Sequence, residues 1–176
     1  MRALVLLEPL SIRILDVINE RVTAQVGAER EAGRIDAAQA RSIEQALAGA
    51  IASLRATGTV AGTLPDGLAT ALNPTTQLYL FQEDRYNPAV VAAKLTPQLR
   101  TLLTCSNADY QVSCADVDHL AAGLAQARAK LNFVHLDGVD HVLKQDSSRT
   151  SAPYTKPLPF STQLRTALRA FIATNL

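Results

Sequence analysis

The sequence predicts an α/β fold: three parallel strands, flanking helices and a helical insertion after the first strand. Three observations carry this expectation. Short apolar runs at residues 3–7 (ALVLL), 101–104 (TLLT) and 131–136 (LNFVHL) read as buried strands. Helical patterns separate each run from the next, which is the signature of parallel βαβ units. Two chemistry-bearing residues, Asp109 and His141, follow the second and third runs after short turns.

Bulk properties narrow the class. A chain of 176 residues is long enough to bury a core, and 48% hydrophobic with 19% charged residues is a globular composition. A net charge of +1 gives no electrostatic footprint for nucleic acid. No apolar run approaches the roughly 20 residues needed to cross a bilayer, so no membrane span is expected. Residues 1–7 faintly resemble a secretory signal, but Glu8-Pro9 ends the run without a small-residue cleavage site. A buried strand is the better reading, and cytoplasm is the default compartment. Cys105 and Cys114 have neither metal-ligand spacing nor a C-x-x-C pattern. Cys105 reads as a small core residue, and spacing alone does not decide whether the two are bonded.

Residues 3–7, apolar without alternation, fit a central strand covered on both faces. From residue 11 to about 57 the period becomes helical. Leu15, Ile18, Val22 and Val26 recur at three- and four-residue spacing, and Gly33 is a suitable terminator. Asp36 with Gln39 forms a capping box that opens a second helix through Ile43, Leu47, Ile51 and Leu54, which Gly58 ends. The pair suits an antiparallel hairpin. Residues 58–73 read as a loop with one short turn of helix. Asn73-Pro74 and Asn87-Pro88 each place an N-cap before a proline, opening helices over 75–84 and 89–95. Tyr79, Phe81 and Tyr86 lie there as core or pocket wall rather than a base-stacking platform. Ser113 and Asp116 form a capping box for a helix over about 115–130. Residues 161–175 close the chain as an amphipathic helix with Leu164, Leu168 and Ile172 on one face.

The chemistry gathers at two turns. Asp109 follows its strand after Ser106-Asn107-Ala108, and His141 follows the next strand after residues 137–140. Both therefore reach the carboxyl edge of the sheet, one crossover apart. A carboxylate that accepts the proton of one imidazole nitrogen fixes the tautomer and leaves the other nitrogen as a general base. A turn aspartate or a surface histidine is ordinary when taken singly. Their placement after consecutive strands favours a catalytic pair. Asp140 reads as supportive, His119 as part of a solvated face and His135 as structural. His135 and His141 lack helical ligand spacing, so no metal is expected. No cofactor is expected either, since neither G-x-G-x-x-G nor G-x-x-x-x-G-K-[ST] occurs.

These residues resemble a known family. Leu102 to Val112 (LLTCSNADYQV) resembles the acid loop of the α/β-hydrolases, and Leu136 to His141 (LDGVDH) resembles their histidine loop. The resemblance implies the carboxyl-terminal part of that fold: residues 1–9 as a strand, 10–73 as a helical lid over the strand ends, and 74–176 carrying both loops. It implies a serine hydrolase with His141 as base, Asp109 as its orienter and a small ester-like substrate. Glu8 is a second acid candidate, because some members take their acid from the corresponding strand; the turn context favours Asp109. The family's nucleophile is a serine in G-x-S-x-G, and neither that motif nor an HGGG-type loop occurs here. Ser106 reads as a turn residue and Ser113 as an N-cap, without a glycine-bounded elbow. The nucleophile is therefore expected in sequence preceding Met1, and this chain alone is expected to be inactive. It is also expected to self-associate through the open edge of its first strand. The alternative is a non-catalytic binding or assembly module that associates through helices 11–57.

Overall fold

The computed structural model describes residues 2–175, residue 66 by its backbone alone. Its sheet has three parallel strands in the order β1-β2-β3: β1 (Ala3–Leu7), β2 (Arg100–Ser106) and β3 (Lys130–Leu136). Leu7 lies opposite Thr104, and Ser106 opposite Leu136, so the turns after all three strands leave from one edge. β2 is the interior strand and is buried from Thr101 to Ser106. β1 was expected at the centre, but among the described residues it pairs with β2 only, and Val5 is 40% exposed. A run apolar on both faces reports how a strand is covered, not its rank within the sheet.

The chain forms two compact units, Arg13–Tyr86 and Met1–Ile12 with Asn87–Leu176. The first holds α1 (Ile14–Glu31), α2 (Ala37–Thr57), α3 (Asp66–Ala71) and α4 (Pro74–Glu83). The unit runs on past residue 73 to Tyr86, because α4 packs on α1 and α2. Asp36 opens α2 as expected: its Oδ1 accepts the N–H groups of Ala38 (2.8 Å) and Gln39 (2.7 Å), and Gln39 accepts the Asp36 N–H in return. Leu15, Leu47, Leu54 and Leu72 are sealed in this unit's core.

The first turn of α1 lacks a local cap, since Arg13 precedes it. Asp84 does that work from afar. Its Oδ1 accepts the Leu15 N–H at 3.0 Å, while Oδ2 binds Arg13 at 2.6 Å and Arg55 at 2.9 Å. A carboxylate at a helix N-terminus satisfies an orphan donor and complements the helix dipole.

In the second unit α5 (Pro88–Ala92) packs on α6 (Cys114–Gln126), which covers β2 and β3. Val117, Leu120 and Leu124 meet Leu103 and Cys105 in this core. Gly123 permits the approach of the two helices: a Cβ there would lie 2.2 Å from the Ala89 carbonyl oxygen. α6 stops at Gln126 rather than near residue 130. Arg128 takes the left-handed conformation (φ 58°), and its N–H and that of Ala129 bond back to Ala125 and Leu124. That is a Schellman stop with arginine where glycine is usual. A 3-10 turn (Ala152–Thr155) precedes α7 (Thr162–Asn175), which buries Leu164 and Phe171. Ile172, expected on the buried stripe, is 51% exposed.

Candidate active site

The two turns expected to carry chemistry are laced together at the carboxyl edge of the sheet. Ser106 Oγ accepts the Ala108 N–H at 3.1 Å within its own turn and the Val139 N–H at 3.2 Å in the other. Asn107 donates to Asp137 at 2.6 Å and accepts the Gly138 N–H at 2.9 Å. Arg149 adds a bond to the Asn107 carbonyl at 2.6 Å. Gly138 turns through φ 64°, and a Cβ there would meet the Gln145 amide at 3.0 Å. Asp140 shapes the turn around His141, accepting the Lys144 N–H at 2.8 Å on Oδ1.

Asp109 and His141 come together. Asp109 Oδ2 lies 2.8 Å from His141 Nδ1, with the aspartate side chain fully buried and the histidine 31% exposed. Asp109 Oδ1 accepts the N–H groups of Gln111 (2.6 Å) and Val112 (3.1 Å), a local Asx arrangement. Those donors fix the carboxylate plane. With Nδ1 committed to the acid, Nε2 is the nitrogen able to take a proton.

A disulfide closes the acid turn at both ends. Cys105, the penultimate residue of β2, is bonded to Cys114 at the start of α6. The spacing had left this pairing open. Together with His135, these cysteines place three potential metal ligands within 4.8 Å of one another. The sulfurs are bonded to each other, so the thiolates a metal would need are absent. His135 lies against the Phe133 ring at 4.4 Å, and His119 is exposed on α6.

Glu8, the second acid candidate, does not occupy the place of Asp109 beside His141. It is 4% exposed and sits in the left-handed conformation (φ 44°). Its N–H donates to Thr104 Oγ1 (3.2 Å), whose hydroxyl donates back to Glu8 Oε1 (3.1 Å). Burial pushes the Glu8 carboxyl up to about 7, the neighbouring Asp109 charge adds to this, and hydrogen bonds from Thr104 and the Ser106 backbone oppose it. Tyr154 was not anticipated. Burial pushes its phenol up to about 12, it accepts the Gln111 amide at 2.9 Å, and its ring lies 6.0 Å from that of Tyr110. Tyr110 and Gln111 were legible beside Asp109; Tyr154 carried no local signal.

Ser106 and Ser113 serve the turns. Ser113 Oγ caps α6, accepting the Asp116 N–H at 3.0 Å. No family model, curated protein or solved structure matches the chain. No helix among the described residues is long and apolar enough to cross a membrane.

Proposed function

We propose that this chain supplies the acid–base pair of a serine hydrolase of the α/β-hydrolase type. His141 is the general base, Asp109 its orienter, and the nucleophilic serine lies outside these 176 residues. One observation carries the proposal: a sealed carboxylate 2.8 Å from a partly exposed imidazole, on turns that leave adjacent parallel strands. In acyl transfer His141 Nε2 takes the serine proton as Oγ attacks the ester carbonyl. Asp109 stabilises the imidazolium, which then protonates the leaving alkoxide. The substrate is a small ester-like molecule, and by the same resemblance the helical unit serves as a lid. The unpaired edge of β1 is the place for further strands of a hydrolase sheet, or for a second copy of the chain. The Cys105–Cys114 bond favours an oxidising compartment over the cytoplasm expected by default.

The DNA immediately before the Met1 codon tests this cheaply. An in-frame G-x-S-x-G in that stretch is the expected result. A closed frame, together with a stable and abundant 176-residue product, would sink the proposal.

A further inference from the structure

We propose that Glu8 is a positioning residue for the Asp109–His141 pair: its carboxyl keeps a proton and donates it to the Asp109 carboxylate. The role in catalysis rests on the hydrolase reading above; the shared proton does not.

Acceptor arithmetic leads to it. An ionised carboxylate offers about four lone-pair sites. Three on Asp109 are taken, by the N–H groups of Gln111 and Val112 and by His141 Nδ1. Glu8 presents the complementary defect. Oε1 accepts the Thr104 hydroxyl, but Oε2 is buried with no hydrogen-bond partner. Glu8 and Asp109 stand at the same sheet edge, after β1 and after β2, and the Asp109 charge acts on the Glu8 carboxyl. Two ionised carboxylates in that position would repel, and each would keep an unmet need. A single proton between them gives Oε2 a partner and adds a donor to Asp109.

The surroundings decide which residue holds the proton. Asp109 has two backbone donors and an imidazole to stabilise its charge. Glu8 has one hydroxyl and a backbone group, and the charged neighbour acting on it is Asp109 itself. Thr104 and Ser106 on β2 contribute no charge, and His141 reaches Glu8 through Asp109. The proton therefore sits on Glu8. Below about pH 7 a neutral Glu8 braces Asp109 and keeps a second negative charge out of the relay.

Carboxyl carbon NMR of the glutamate-labelled intact chain across pH tests this without any turnover. One glutamate resonance should titrate near pH 7 and vanish in Glu8→Gln. In Asp109→Asn its midpoint should fall by roughly a pH unit or more, because the neighbouring charge is gone. Titration of every glutamate in the ordinary carboxylate range would overturn the proposal. So would a Glu8 midpoint that Asp109→Asn leaves in place, since burial alone would then explain it. The wild-type titration needs no substitution, and Glu8→Gln keeps the side-chain shape and a donor. Failure of the hydrolase reading would be seen separately, as ester turnover indifferent to His141.

Discussion

Asp84 and Glu8 are both buried carboxyls, 1% and 4% exposed, one in each compact unit, and their surroundings drive them in opposite directions. Burial pushes Asp84 up, but hydrogen bonds from Arg55 and the Leu15 N–H, with the charges of Arg55 and Arg13, hold it below the usual carboxylate range. Among the described residues, no cation acts on Glu8. Burial and the Asp109 charge leave it near 7. The difference teaches that burial sets the stakes and partners set the sign. In the helical unit a buried acid is neutralised twice over and seats a helix. At the sheet edge two buried acids lie together, and His141 is bonded to Asp109. Such under-compensated acids collect at working sites.

The larger effect expected from this contrast is in the helical unit. Asp84→Ala leaves Arg13 and Arg55 facing each other and removes the cap of α1. A loss of roughly 3 kcal/mol is expected, the lower end for breaking a buried pair because both arginines are about one-third exposed. Denaturant unfolding reads this directly. A loss below roughly 1 kcal/mol, the scale of a surface pair, would show that the cluster does not hold the unit together.

The second effect is in the pH dependence. The folded pKa of Glu8 lies above its unfolded value of 4.5, so its stabilising contribution is full below that pH and is lost as pH rises through about 7. Glu8→Gln should therefore gain stability relative to wild type between acid and mildly alkaline pH, by up to about 3 kcal/mol. Asp84, with its pKa lowered, contributes in the opposite sense: its stabilisation is lost as pH falls. Thermal unfolding of Glu8→Gln at acid and mildly alkaline pH would separate the two. A constant difference from wild type would break the contrast.

Legibility in the sequence followed how local each cause was. The three strands and the turns bearing Asp109 and His141 were readable, because apolar runs and turn residues act over a few positions. The two Schellman stops make the limit plain. Gly33 announced the end of α1, whereas Arg128 adopts the same left-handed geometry without glycine and hid the end of α6. The α1 cap was invisible since its acid lies sixty-nine residues from Leu15. The same holds for Glu8 and Thr104, ninety-six residues apart. Buried position 171 follows the i, i+4, i+7 stripe from Leu164 through Leu168, whereas 172 was read from a strict four-residue step. The disulfide depends on where β2 and α6 place two sulfurs, which spacing does not reveal.

Hydrolysis of a short-chain p-nitrophenyl ester tests the central assignment most directly. It should be measured on the polypeptide encoded by the whole open reading frame and on residues 1–176 alone. The short chain is expected to be inactive. The full product should turn over the ester, and Asp109→Ala or His141→Ala should each lower kcat on the order of 1,000-fold or more. Turnover by the full product that survives both substitutions would contradict the site; turnover by residues 1–176 that is lost with either would place the nucleophile inside this chain.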